Sequence, residues 1–207
     1  MDSLTHIVIG AAVGLSVRNR HFNRKAAAGI GALACTAPDF DVFIRSSDNP
    51  LLLEEFHRSF SHALIFIPFG ALLIAGILLA LFKRLRPDWR QVILIAVVAY
   101  ATHGLLDACT SYGTQLLWPF SHERVSWDII SIVDPAFTLP LLIGMVWSYR
   151  NGRYGPARLA LLYGLLYLGF CYAQHYRAMS LQTQLIAQRQ QVASSARATP
   201  GFGSQYN

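Results

Sequence analysis

The chain has 207 residues, enough for one compact domain and short for two. Hydrophobic residues make up 54% of it and charged residues only 14%, whereas soluble domains carry about 25% charged residues, so an ordinary soluble domain is excluded. The net charge of +6 comes from Lys and Arg in short clusters between apolar runs, and such clusters do not form the continuous basic face that nucleic acid requires.

Apolar stretches follow one another along the chain and predict an all-α, polytopic membrane bundle of about five to six helices. They cover about residues 4–17, 26–44, 60–82, 91–111, 129–148 and 157–176. A membrane-spanning helix needs about 20 apolar residues, so 60–82 and 91–111 qualify by length. The first two stretches are expected to be tilted, half-buried or only partly spanning. The first has an acid before it and basic residues after it, the reverse of a signal peptide, and is expected to be retained.

The C-terminal part changes character from Arg177 onwards, where a weak apolar stripe gives way to a segment without periodicity. We therefore expect a membrane-embedded helical domain over residues 1–176. Residues 177–207 are expected to form a short surface helix and a disordered tail.

Basic residues follow the first, third and fifth stretches, which are alternate loops and so lie on one side. They are Arg18, Arg20, Arg24, Lys25, Lys83, Arg84, Arg86, Arg90, Arg150, Arg153 and Arg158. Lys and Arg in short loops tend to stay cytoplasmic, whereas every acid except Asp88 falls on the other side. We expect a multi-pass protein of the bacterial inner membrane whose N-terminus and acidic face are extracytoplasmic.

Histidines and aspartates gather on that predicted outer side. The candidate metal ligands are His6, Asp39, Asp41, His57, His62, His103 and Asp107. Ionisable groups at membrane depth are costly and normally face a cavity or a compensating partner. Because separate stretches place such groups at the same depth, we expect them to share a divalent cation.

His103 and Asp107 form the sharpest pair. Residues four apart on a helix are separated by only about 40° and present both side chains to one point. Imidazole and carboxylate ligands suit zinc first, with manganese or iron as alternatives. The competing interpretation is a hydrogen bond between the two side chains that stabilises the bundle without metal.

The sequence FHRSFSH carries His57, Arg58 and His62 at the head of a long apolar stretch. The two histidines are five residues apart, about 140° around a helix, so they reach one ion only if His57 precedes the helix. Arg58 is expected to bind an anion such as phosphate, since guanidinium suits that geometry. The alternative is that Arg58 extends to lipid headgroups.

Two further segments supply acids. Asp39 and Asp41 follow Pro38, and in an extended or turn segment both carboxylates would reach one metal region, although a solvated helix end is the alternative. Asp134 precedes Pro135 in the fifth stretch. An aspartate not committed to metal, Asp41 or Asp134, is the candidate general base, which with Arg58 completes the predicted catalytic set.

Several short motifs, taken together, resemble the YdjM-like family of inner-membrane, LexA-regulated metal-dependent hydrolases. They are MDSLTH, PDFD, HRSFSH, THGLLD followed by TSYGT and LWPFS, and Asp134 followed by Pro135. The resemblance covers nearly the whole chain to about residue 145. It implies an inner-membrane protein with a metal site at the seven ligands named above.

The resulting prediction is an integral membrane metal-dependent hydrolase that acts on a phosphoester at the membrane surface. A membrane lipid, either a phospholipid or a lipid phosphate, is the expected substrate, because a site at headgroup depth meets lipids without extracting them. The alternative is a non-catalytic membrane regulator or scaffold with a structural metal. An ion transporter ranks third, because no internal repeat is evident.

Overall fold

The computed structural model describes residues 1–44, 57–188 and 198–201. Within these ranges the chain forms six α-helices and no β-strand, apart from one isolated bridge between Thr114 and Val125. The helices are α1 Ser3–Val17, α2 Arg24–Thr36, α3 Ile67–Leu81, α4 Trp89–Ala108, α5 Pro135–Asn151 and α6 Gly155–Gln188. The prediction of an all-α helical bundle is confirmed.

Three stretches are long and apolar enough to cross a membrane: Leu64–Leu81, Lys83–Ala108 and Gly155–Gln188. Two of the predicted stretches are interrupted. In 26–44, α2 ends at Thr36, and a 3₁₀ helix, Ala37–Phe43, continues past Pro38. In 60–82, two short 3₁₀ turns precede α3, which has Pro68 in its first turn. Proline fixes its own backbone angle and lacks an N–H, so it suits a helix start.

The helix α6 continues without a break from Gly155 to Gln188, across the boundary predicted at residue 176. The separate C-terminal unit stays a prediction, because residues 189–197 and 202–207 lie outside the described part of the chain.

The first helix is the central element of the bundle. Every residue of α1 from Val8 to Ser16 is buried, which explains how a stretch too short to span a bilayer still contributes an apolar helix. Gly10 and Gly31 allow α1 and α2 to touch, since a Cβ atom on Gly10 would lie 2.3 Å from the Gly31 carbonyl oxygen. Small residues permit this close approach of two backbones.

The two ends of the bundle differ in chemistry. At one end, side chains of the predicted basic loops bond to backbone carbonyls of neighbouring helices, as in Arg18 to Gly152 and Arg24 to Arg150. At the other end lie the start of α1, the 3₁₀ helix after α2, the turn before α3 and the end of α4. These four ends carry the predicted metal ligands, which are therefore close in space.

Candidate metal centre

Four of the predicted ligands meet in one buried group formed by Asp39, His62, His103 and Asp107. His103 and Asp107 project from the last turns of α4, whereas Asp39 comes from the 3₁₀ helix after α2 and His62 from the turn before α3. The side chains of His62, His103 and Asp107 are inaccessible to solvent, and that of Asp39 is 25% exposed. Three separate parts of the chain thus supply the group.

Four distances between donor atoms are close to those around a tetrahedral metal, and a fifth is shorter. Asp39 Oδ1 lies 3.6 Å from His62 Nε2 and 3.3 Å from His103 Nε2. Asp107 Oδ2 lies 3.5 Å and 3.6 Å from the same two nitrogens, which are 2.9 Å apart. Zinc ligands at about 2.0–2.1 Å in a tetrahedron would be about 3.4 Å from one another. The residues therefore fit a four-coordinate divalent ion.

The protonation of His103 is fixed by the end of α2. Its Nδ1 lies 2.5 Å from the backbone carbonyl oxygen of Cys35, which can only accept, so Nδ1 carries the hydrogen. In the neutral ring, Nε2 then presents a lone pair to the four-atom group. Such a hydrogen bond from the outer nitrogen is the usual support for a metal-binding histidine.

Asp107 Oδ2 is buried and pairs with Arg58 Nε at 3.2 Å, but it accepts no directed hydrogen bond in the part of the chain that the structure describes. A buried carboxylate oxygen without a hydrogen bond is costly, and a cation at the centre of the four donors would add to the compensation that Arg58 gives. The other oxygen, Oδ1, contacts the N-terminal ammonium group and lies 3.0 Å from His6 Nε2. The two oxygens of this side chain therefore face different partners.

His6 lies beside the four donors rather than among them. Its ring stacks on that of His103 with centroids 3.8 Å apart, and its Nδ1 is buried without a hydrogen-bond partner among the described residues. His6 also forms a second potential metal-binding group with Cys35 and His103. A histidine stacked on a ligand restricts the orientation of that ligand.

Asp41 lies behind His62. Its Oδ2 accepts hydrogen bonds from Ser61 Oγ at 2.9 Å and from the Arg58 backbone N–H at 3.0 Å, and it lies 3.5 Å from His62 Nδ1. Its Oδ1 is 2.8 Å from His57 Nδ1. Asp41 and His57, both expected as ligands, are therefore placed outside the four-donor group. They form a pair that supports His62 from its outer side.

The electrostatics of the two acids follow from these contacts. Burial by itself raises the pKa of Asp39, but the imidazoles of His103 and His62 outweigh it and hold that pKa well below its usual range. Burial likewise raises the pKa of Asp41, and its bond to His57 together with the charge of His62 outweighs it, so the pKa is lowered. Both acids are ionised at neutral pH, as a cation site requires.

Arg58 is buried next to the donors in an unusual backbone conformation, with φ of 60°. Its Nε lies 3.2 Å from Asp107 Oδ2, its Nη1 donates to Thr110 Oγ1, and its guanidinium lies over the ring of Tyr112. A non-glycine residue at positive φ carries strain that surrounding contacts must hold, and such residues cluster at functional sites.

Arg124 and Tyr112 are also part of this environment, although sequence reasoning did not assign them to it. The Arg124 guanidinium lies over the same Tyr112 ring that Arg58 contacts, 5.1 Å from the ring centre. Its Nη2 donates to the backbone carbonyl of His57. The 109–134 loop contains several aromatic residues but only one Arg or Lys, Arg124, which is a weak signal. The role of the Cys35 backbone carbonyl could not be predicted from the sequence, since every residue has a backbone carbonyl.

Asp134 is bonded elsewhere. Its Oδ1 accepts from the backbone N–H of Phe137 at the first turn of α5, and its Oδ2 accepts from the Tyr167 hydroxyl. Both oxygens therefore hold α5 and α6 in place. Its predicted role as a general base stays a prediction.

Comparison with known proteins agrees with this architecture. The family model described as YdjM inner membrane protein matches residues 1–178. The uncharacterized protein YfhP of Bacillus subtilis is 27% identical over 167 residues, which cover 78% of this chain and 50% of that protein. The chain thus spans about half the length of this curated relative, and no solved structure matches it. The chain belongs to the YdjM family of inner membrane proteins.

Proposed function

We propose that this protein is a membrane-embedded hydrolase that uses one divalent metal held by Asp39, His62, His103 and Asp107. The observation that supports the metal is the spacing of the four donors, among them an Asp107 oxygen that accepts no hydrogen bond from the described residues. We propose zinc, because buried sites with nitrogen and oxygen donors in a tetrahedron are typical of it. Manganese and iron share these ligand types and are the alternatives.

A metal in this position would supply Lewis acidity and lower the pKa of a bound water towards about 7. His57 is our candidate for the group that accepts the proton, because Asp41 holds its Nδ1 at 2.8 Å and the ring is 24% exposed. The His57 ring is 6.1 Å from that of His62, within reach through one water molecule. Asp41 would thus orient the base.

Arg58 and Arg124 support a phosphoester as the substrate. Both guanidinium groups lie within about 5 Å of the Tyr112 ring centre, and Arg58 also lies 3.2 Å from the donor oxygen Asp107 Oδ2, so two positive charges surround one ring near the site. Guanidinium groups bind phosphate oxygens through paired hydrogen bonds and stabilise the charge that develops during transfer.

We propose that the substrate is a membrane lipid and that the centre faces the extracytoplasmic side. Around the centre the chain exposes large aromatic side chains, among them Phe40, Phe43 and Phe120. Aromatic residues at the end of an apolar bundle are typical of the membrane–water interface. The distribution of basic loops supports the orientation.

The test is turnover by purified protein in lipid nanodiscs. Phosphatidic acid, phospholipids and p-nitrophenyl phosphate are assayed after chelator treatment and after addition of zinc, manganese or iron. We expect turnover that chelator abolishes and one metal restores. A His57→Gln variant should keep its metal and lose turnover, whereas His21→Gln, exposed at the opposite end, should match the parent protein. Turnover that chelator leaves unchanged would reject the proposal.

A structural metal in a non-catalytic regulator is the second candidate, and one observation favours it. Four protein donors complete a tetrahedron, whereas catalytic zinc usually keeps one position for water. The exposed side of Asp39 is the point where water would enter in a catalytic site. Bound metal with no turnover of any substrate, in a protein that unfolds when the metal is removed, would favour this candidate.

A further inference from the structure

An apolar cavity of about 240 Å³ lies next to the metal centre, on the side of α3. Most of its apolar wall comes from two elements: Phe66, Leu73 and Ile74 belong to the candidate span Leu64–Leu81, and Pro38 and Phe40 to the 3₁₀ helix Ala37–Phe43. Leu73 and Phe40 are also largely exposed, so the cavity opens onto the outside of the bundle. Leu73 lies in a stretch that is long and apolar enough to cross a membrane.

The cavity and the centre share the segment Phe60–His62. Phe60 and Ser61 line the cavity together with Asp41, and Ser61 Oγ lies 3.0 Å from Nδ1 of the donor His62. The Tyr100 hydroxyl, also in the lining, donates to the Ser61 carbonyl at 2.8 Å. A molecule in the cavity would therefore be separated from the metal centre by a single layer of side chains.

We propose that this cavity holds one acyl chain of the lipid on which the protein acts. This rests on the proposed function and deepens it, because it specifies an amphiphile with a phosphate head and a hydrocarbon tail. Away from Asp41, Ser61 and Tyr100 the walls are apolar and give water few partners, and an empty cavity loses the dispersion contacts of its lining. At a membrane span, the apolar chain available to fill it is that of a lipid.

The gain from such a site is position rather than affinity. Hydrocarbon is as apolar outside the protein as inside it, so moving a chain into the cavity changes its solvation little. A chain held against Phe60–His62 brings its own headgroup beside Arg58 and the four donors. Orientation of this kind is worth several orders of magnitude in rate when the reacting groups are close.

The experiment uses photoreactive phosphatidic acid with a diazirine in its acyl chain, mixed into nanodiscs that contain the full protein. After irradiation, mass spectrometry locates the labelled peptides. Leu73→Trp and Ile74→Trp fill the cavity, whereas Leu72→Trp, on the same helix but outside the lining, adds equal bulk to the lipid-exposed surface. Two filling variants guard against failure of one to fold.

We expect labelling on Phe40 and Phe66 in the parent protein. It should fall about tenfold in Leu73→Trp and Ile74→Trp, since overpacking a filled space is unfavourable, and stay unchanged in Leu72→Trp. Equal labelling in all variants would overturn the proposal. Labelling does not require turnover. If the protein hydrolyses the lipid but all variants are labelled equally, the acyl-chain site is refuted and the proposed hydrolase activity is not. If the protein hydrolyses no substrate but labelling falls only in the two cavity-filling variants, the proposed hydrolase activity is refuted and the acyl-chain site is not.

Discussion

The backbone carbonyl oxygen of His62 lies against Gly104, where an added Cβ atom would be 2.5 Å from it. Gly104 follows His103 on α4, so this contact brings the turn before α3 close enough for the two imidazole nitrogens to face each other at 2.9 Å. Backbone this close to a helix surface requires glycine at that position.

The first prediction concerns this contact. Gly104→Ala should push the His62 carbonyl outward and separate the donors, weakening metal affinity at least about tenfold, as losses around metal ligands do. Gly76→Ala on α3, where nothing lies within 4 Å, is the matched control and should be neutral or slightly stabilising. Competition with a chromophoric chelator measures both affinities. Equal affinities would show that His62 does not depend on Gly104.

The second prediction concerns the donors themselves. His103→Ala removes one of the four ligands and leaves Asp107 without its neighbour. The affinity for the metal should therefore fall by about 100-fold or more. Elemental analysis of protein purified without added chelator measures the metal content. His21→Ala, which changes a histidine at the opposite end, should retain the parent content. Full occupancy in His103→Ala would place the metal elsewhere.

The third prediction separates Asp41 from the donors. Asp41→Asn keeps the volume but loses the charge that faces His57 and His62. Because the residue supports a ligand rather than binding the metal, affinity should fall by about 10- to 100-fold while the metal still binds. The parallel variant Asp39→Asn should cost more. If Asp41→Asn were the worse of the two, Asp41 would be a ligand.

The fourth prediction concerns Asp134. Asp134→Ala removes the cap of α5 and the partner of Tyr167, so stability should fall by about 1–2 kcal/mol. Metal content should not change. Thermal unfolding and elemental analysis report the two effects separately. A variant that is stable, holds its metal and has lost turnover would instead identify Asp134 as the catalytic base.

The fifth prediction is the orientation in the membrane. Phe120→Cys at the end that carries the donors and Arg20→Cys at the basic end provide single reporters, because the three native cysteines are buried. A membrane-impermeant maleimide should label Phe120→Cys in intact cells and Arg20→Cys only after permeabilisation. The opposite pattern would place the centre in the cytoplasm.

Much of the fold was predictable because it depends on regular periods. The spacing of His103 and Asp107 places both on one side of α4. The basic residues in alternate loops predict that the helix ends carrying the donors lie together on the opposite side of the membrane. The stretches that contain proline were less predictable. Pro38 and Pro68 begin short turns and helices in the middle of apolar runs, and composition alone does not locate such a change.

Which residues become donors was decided by packing. Asp39 and Asp41 lie on a 3₁₀ helix, in which each residue turns the chain by about 120°, so two residues apart they point in different directions. Only Asp39 faces the two imidazoles. His57 precedes the turn that carries His62 and contacts Asp41 instead. An extended segment would have directed both acids to one place.

The sequence by itself determined that this is a membrane bundle with most of its histidines and acids at one end, because hydropathy and charge act locally along the chain. The tertiary structure alone decided that Asp39, His62, His103 and Asp107 meet, that the Cys35 carbonyl sets the His103 tautomer and that Asp134 caps a helix. These outcomes depend on distances between segments far apart in sequence. Such distances are fixed only when backbones such as those of His62 and Gly104 pack against each other.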